Sequence, residues 1–414
     1  MSYGLTFGGI IILMLIILSG CSYGHKQYDP SATNGQPASD GLLVLEVTDY
    51  GRFWDRAASN RLYKFLENES AGKNVVLVTF IHGWHHNAEL SDGNRRDFQK
   101  TVRELQEKVN TREYADSRVA LQLQENVKVI GLYIGWRGES LPSLLDYLTF
   151  WGRKAAAERV GGGDLREFLL KLQNLYNERN RNIQTHTSHT FMGMVTIGHS
   201  FGGQVALRTV VELLERDLID GGVQSKIVPG LGDLTVLLNP ALEAYQYERI
   251  QRLASSGKFN YTQSPVLLTI SADNDRARGW WFPIGRRVSR LFRASLKAEE
   301  ADEWTQALGL YKSQQTHLFE VTDKPDTITE EVNSITLDFS RYNVIGGVAI
   351  NPLPERSTVN SPFIVARTPS KVLIDGHNGV FSDTFRTFLT EFVALTQGKR
   401  ISVRREEMAS PPKR

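Results

Sequence analysis

Residues Thr196 to Gly203 read T-I-G-H-S-F-G-G, a serine with one glycine two positions before it and another two positions after. With 35 glycines in 414 residues, G-x-S-x-G arises by chance roughly 0.2 times in a chain of this length, so the match alone decides little. Its setting decides more. Met194-Val195-Thr196-Ile197 has the composition of a short strand, and Leu207, Val210, Val211 and Leu214 recur at helical spacing. Ser200 therefore falls at a strand-to-helix turn. Such a turn holds the serine backbone in a strained conformation that exposes the hydroxyl. Gly198 and Gly202 let strand and helix approach closely, and the helix N-terminus directs positive potential at developing negative charge.

Outward from this turn, residues 42–47 (L-L-V-L-E-V), 75–81 (V-V-L-V-T-F-I), 127–134, 234–238 and 265–270 are further apolar, β-branched runs. Helical stretches lie between several of them, and residues 382–396 close the pattern with another. Strands buried on both faces and alternating with helices predict an α/β fold around a mainly parallel sheet. Two insertions interrupt the alternation, at about 141–190 and 278–340. The first carries an apolar cluster (Leu144, Leu145, Tyr147, Leu148, Phe150, Trp151), a Gly161-Gly162-Gly163 break that permits a hinge, and a helix opened by Asp164 with Glu167 at capping-box spacing. The second opens with Gly279-Trp280-Trp281-Phe282-Pro283 and continues through Arg286, Arg287, Arg290 and Arg293. Its aromatic residues are expected to pack as a cap, in preference to a patch at a membrane interface, since aromatic clusters belong more often to cores.

The pentapeptide G-H-S-F-G at 198–202 resembles the nucleophile elbow of the α/β-hydrolases. The resemblance spans roughly residues 42–398 and implies the α/β-hydrolase fold with Ser200 as nucleophile, followed in the chain by an acid and then a histidine. Ser271-Ala272-Asp273-Asn274-Asp275 follows the strand at 265–270 and offers Asp275 as the acid, with Asp273 as the alternative. Ile374-Asp375-Gly376-His377-Asn378-Gly379 offers His377 as the base; His317, inside the second insertion, is a weaker choice. The same resemblance implies an oxyanion hole from the backbone N–H groups of Phe201 and of Trp84, in a Phe80-Ile81-His82-Gly83-Trp84 run similar to the family's His-Gly loop. It implies a serine hydrolase of the esterase or lipase kind, cleaving carboxylic esters through an acyl-enzyme without a cofactor. Transacylase and thioesterase activities are left open beside ester hydrolysis. The alternative is a non-catalytic lipoprotein that binds lipid or scaffolds an envelope partner through the same pocket.

The remaining histidines suggest no metal centre. His82, His85 and His86 form H-x-x-H-H, and His186 and His189 a second pair, but His82 belongs to the oxyanion run and no cysteine accompanies either group. His85 and His86 are expected near the mouth of the site, and His199 as a packing residue. A net charge of +2 from 48 basic and 46 acidic residues argues against a nucleic-acid partner.

The only cysteine, Cys21, closes an apolar run over residues 7–18 and stands in Leu18-Ser19-Gly20-Cys21. That run has the length of a signal-peptide core and falls short of the about 20 residues that span a bilayer. The tetrapeptide resembles the lipobox of bacterial lipoproteins. It implies a signal peptide over 1–20, a lipidated Cys21 and a membrane-anchored protein of the cell envelope; Ser22 after the cysteine favours the outer membrane, with the protein facing the periplasm. No Lys or Arg precedes Cys21, which departs from the usual signal peptide and leaves an uncleaved N-terminal anchor or a misassigned start as the alternative. Residues 21–41 are polar and rich in Pro, Ser, Asn and Gly and are expected to form a flexible linker; 399–414 are expected to form a disordered tail.

Overall fold

The computed structural model describes residues 27–30, 34–138, 150–181, 189–220, 227–275, 304–327 and 338–406. The apolar runs of the sequence become strands whose side chains alternate between two separate cores. Leu43, Leu45 and Val47 of β1 (Leu43–Val47) and Val75, Leu77 and Ile81 of β2 (Asn74–Ile81) face one core; Val44, Val76, Val78 and Phe80 face the other. This is the period-two geometry of a sheet covered on both sides. The other strands are β3 (Val127–Trp136), β4 (Met192–His199), β5 (Leu234–Leu238), β6 (Leu267–Ala272), β7 (His317–Val321), β8 (Asn343–Ile345), β9 (Val348–Pro352) and β10 (Phe363–Thr368). They form one sheet in the order β1-β3-β2-β4-β5-β6-β10-β7-β9-β8, parallel from β1 through β7 and antiparallel over the last two pairings.

Helices α1 (Arg56–Glu69), α4 (Phe150–Gly162), α5 (Asp164–Arg181), α6 (Phe201–Asp220) and α7 (Tyr245–Ser255) cover the first face. Helices α2 (Gly93–Val109), α3 (Arg112–Ala120) and α8 (Asp383–Glu406) cover the second. The architecture is thus α/β with a mostly parallel central sheet. Parallel strands bring their carboxyl ends to one edge, where residues from distant parts of the chain converge. The segments that follow β2, β4, β5, β6 and β10 all leave from that edge.

The packed unit is wider than residues 42–398. Residues 27–30 and 34–41, linker-like in composition, lie against the domain. Glu46 accepts hydrogen bonds from the backbone N–H groups of Tyr28 and Asp29 at 2.9 and 2.7 Å. Asp29 and Asp40 pair with the wholly buried Arg95 guanidinium at 2.6 and 2.7 Å, and Arg95 also donates to the Ala88 carbonyl. Removing one partner from a buried ion pair costs about 3–5 kcal/mol because the other charge is stranded. Composition misled here because paired aspartates and backbone hydrogen bonds hold the segment, with Tyr28 and Ala38 packed against the second core. At the other end, α8 continues past 398 into the region expected to be a tail. Lys399 donates to the Gln263 carbonyl, Arg400 to those of Pro229 and Gly232, and Ile401 is buried.

The insertions also differ from expectation. Leu165, Phe168, Leu169 and Leu172 of α5 pack into the first core, and β7 pairs with β10, so the described parts of both segments belong to the layers of the fold. At the triple glycine, Gly163 lies so close to Gly51 that a Cβ added to it would stand 2.1 Å from the Gly51 carbonyl oxygen. Close approach of the two backbones therefore calls for glycine at 163. The apolar residues 144–148 and the cluster from Trp280 to Arg293 lie outside the described residues, as do His186, Cys21 and the rest of residues 1–26. Among the described residues no helix is long and apolar enough to cross a membrane.

Candidate active site

Ser200 sits between β4 and α6 with φ at 56°, in the left-handed region that an L-residue enters at a cost of about 1–2 kcal/mol. The surrounding backbone holds it there. Its N–H donates to the Leu238 carbonyl at 2.9 Å, and its own carbonyl accepts from Gly203 and Ala241 at 2.9 and 3.0 Å. The flanking glycines are obligatory by close approach. A Cβ on Gly202 would stand 2.0 Å from the Ile81 carbonyl oxygen, and one on Gly198 would stand 2.3 Å from that of Gly202. The first turn of α6 therefore presses directly on the end of β2.

Three side chains from three strand ends meet at this point. His377 Nε2 lies 2.7 Å from Ser200 Oγ, and His377 Nδ1 lies 2.7 Å from Asp275 Oδ2. The Asp275 side chain is fully buried and that of His377 is 19% exposed. A carboxylate only accepts, so Nδ1 carries the proton and Nε2 is left to accept from the serine hydroxyl. Asp273 is not part of this group. It pairs with Arg367 at 2.7 Å and lines a separate cleft of about 690 Å³ with Leu310, Lys312, Leu353 and Arg356.

The rings of Trp84 and Phe201 lie 6.3 Å apart, centroid to centroid. Phe201 is the first residue of α6. Gly83, just before Trp84, lies against Ser200: a Cβ there would be 2.7 Å from Ser200 Cβ and 2.9 Å from the His199 carbonyl oxygen. His82 fixes this loop from behind. Its ring stacks with those of Tyr133 and Trp136, with centroids 5.5 and 5.7 Å away. Nδ1 is 2.9 Å from the Gly83 carbonyl, and Nε2 accepts from the Trp136 N–H at 3.0 Å. Burial lowers the His82 pKa to about 4, so the ring is neutral at pH 7 and Nδ1–H is the donor.

Several residues beyond those named from sequence shape the site. Asn239, at the end of β5 with φ at 42°, donates through Nδ2 to the Gly376 and His377 carbonyls, each at 3.0 Å, and accepts the Ala272 N–H at 2.9 Å. It joins β5, β6 and the His377 loop. Asn274 bridges the loop that carries Asp275 to the same segment, donating to Asp375 at 2.8 Å and accepting from the Gly376 N–H at 3.0 Å. His199 is more than packing. Its Nε2–H donates to the His377 carbonyl at 2.9 Å. Burial, with the neighbouring His377 adding to it, holds the His199 pKa well below the usual histidine value. The Asn after the L-L of β5 was a legible signal, because Asn tolerates positive φ; its partners were not.

The other histidines are engaged elsewhere. His86 contacts Asp92 at 3.1 Å, and Asp92 caps α2. His85 stacks on Trp84, with ring centroids 4.0 Å apart. His189 bonds the Gln122 carbonyl, and His317 on β7 bonds Thr316 and the Phe339 carbonyl. Among the described residues no group of three His, Cys, Asp or Glu side chains is arranged to hold a metal ion.

No protein-family model, curated protein or solved structure matches this chain. The geometry of the site carries the functional argument by itself.

Proposed function

We propose that the chain is a serine hydrolase with the α/β-hydrolase fold, cleaving carboxylic esters through an acyl-enzyme. The observation that carries this reading is the continuous contact Ser200–His377–Asp275, 2.7 Å at each step. The strand order supports it as well, with β4 at the centre of the parallel block and the acid and base leaving the ends of β6 and β10.

In this reading Ser200 Oγ attacks the ester carbonyl carbon as its proton passes to His377 Nε2. Asp275, buried and ionised, holds the ring orientation and stabilises the imidazolium. The tetrahedral oxyanion lies between the backbone N–H groups of Trp84 and Phe201, with the α6 N-terminus adding positive potential. Collapse breaks the bond to the alcohol oxygen, which takes the proton from Nε2 and leaves. Water then attacks the acyl-enzyme, gives its proton to His377, and the carboxylic acid departs as Ser200 Oγ recovers that proton. A strained nucleophile, a buried acid and a base held through its own carbonyl are an expense a passive lipid-binding site does not require.

We also propose that Cys21 is lipidated and tethers the protein to a membrane of the bacterial envelope; the support is the Leu18-Ser19-Gly20-Cys21 sequence after an apolar run. The hydrolase reading is tested by fluorophosphonate labelling of the chain beginning at Ser22, beside Ser200→Ala. Labelling of the wild type alone is expected. A folded wild type that neither labels nor turns over a soluble ester refutes the reading and leaves a binding protein.

A further inference from the structure

The docked N-terminal segment sets how far the domain can stand from a membrane. Among the described residues, Tyr28 is the first with a hydrogen bond to the folded unit, to Glu46. From Cys21 to Tyr28 the chain spans at most about 25 Å, whereas a linker free up to Leu42 would span about 70 Å. The point of attachment is specific. Glu46 is the next-to-last residue of β1, Arg95 lies in the first turn of α2, and Ala88 lies in the segment after β2. All three belong to the carboxyl-end edge of the sheet, the edge that carries Ser200, Asp275 and His377. In the strand order β1 stands three places from β4, about 14 Å across the sheet. From that edge to the opposite one, the ten residues of β3 alone extend about 33 Å.

We propose that the membrane holding the Cys21 lipid lies beside the sheet edge that carries Ser200, and that the substrate is an ester resident in that same membrane. The inference rests on the hydrolase and lipidation readings above. A tether of about 25 Å is shorter than the about 33 Å strand length, so the orientation with the active-site edge turned away from the membrane is out of reach. Exposed apolar side chains do not choose the orientation. Tyr50 and Leu90 stand out at the active-site edge, but Tyr261 and Ile219 do so elsewhere. The tether makes the choice.

The test uses the lipidated full chain in phosphatidylethanolamine–phosphatidylglycerol vesicles. Cys21 is the only native cysteine and is blocked by its thioether, so Tyr50→Cys after β1 and Tyr261→Cys before β6 each accept a single donor dye. Energy transfer to an acceptor lipid is expected to be stronger from position 50 than from position 261. Inserting about fourteen Gly/Ser residues after Ser22 triples the tether and changes none of the described residues. By the three-halves power of length, it is expected to lower turnover of a vesicle-borne phospholipid ester about fivefold and to leave turnover of a soluble ester unchanged. Equal or reversed transfer from the two positions overturns the proposal, as does vesicle turnover indifferent to the insertion. Absence of labelled palmitate on the wild type, with Cys21→Ala as control, removes the tether and overturns it too. Loss of soluble-ester turnover refutes the hydrolase reading separately, because energy transfer does not depend on catalysis.

Discussion

Replacing Asn239 by alanine tests whether the base is positioned through its own backbone. The side chain makes three hydrogen bonds, two to the carbonyls of Gly376 and His377 and one from the Ala272 N–H. Alanine strands the buried Ala272 N–H, at about 1–3 kcal/mol. It also holds an ordinary residue at φ of 42° in place of a tolerant asparagine, adding about 1 kcal/mol. The folded state should lose about 2–4 kcal/mol, from these two principles together. Catalysis should lose more than stability alone dictates. With only the His199 bond left on the His377 carbonyl, the imidazole gains freedom, and a displacement near 1 Å costs about 10²-fold in rate. The assay is kcat and KM on a soluble p-nitrophenyl ester well below the unfolding midpoint, beside the thermal melt. A lowered midpoint with a kcat reduced about 10²-fold and little change in KM is expected. A folded variant with a lowered midpoint but wild-type kcat would refute the positioning role, because a purely structural lesion leaves the folded fraction's chemistry intact.

Other substitutions separate neighbouring roles. Asp275→Asn should lower kcat about 10⁴-fold with the fold intact. Asp273→Asn breaks only a partly exposed pair with Arg367 and should change stability by less than about 1 kcal/mol and leave kcat unaltered; kinetics on the two variants read the difference. Gly83→Ala drives a methyl against Ser200 and the His199 carbonyl. It should slow phosphonate labelling at least as much as ester turnover, whereas equal labelling in the variant and wild type would dismiss the contact. Glu46 gives a pH signature. Burial raises its pKa to about 7, despite the two N–H donors that favour the carboxylate. The unfolded chain gives up this proton near 4.5 while the folded chain keeps it, so stability falls as pH rises between those values. Between pH 6 and 8 the loss is about 1 kcal/mol. Urea unfolding should show it in the wild type and not in Glu46→Gln; identical pH slopes would exclude Glu46 as the source.

The strands were legible because burial on both faces of a parallel sheet demands continuous β-branched runs. Residues 234–238 match β5 residue for residue, and residues 75–81 fall within β2. The elbow was legible because Gly-x-Ser-x-Gly is a demand of backbone contact, and the 2.0 Å clearance at Gly202 is that demand made visible. Polar anchoring was not legible. Asp29, Asp40 and Arg95 lie 66 and 55 residues apart in the chain, and nothing local marks them as partners. The same holds for Asn239 and the His377 loop.

By itself the sequence determined the alternation of elements, the serine's place at a strand-to-helix turn, and a short list of acids and bases, since each depends on residues near one another in the chain. It placed Asp275 first and kept Asp273 as the alternative, without a local signal to exclude it. Only the tertiary structure separated them, turning Asp273 toward Arg367 and Asp275 toward His377. That choice depends on the direction of side chains two residues apart at a strand end and on partners about a hundred residues downstream, which no local pattern encodes.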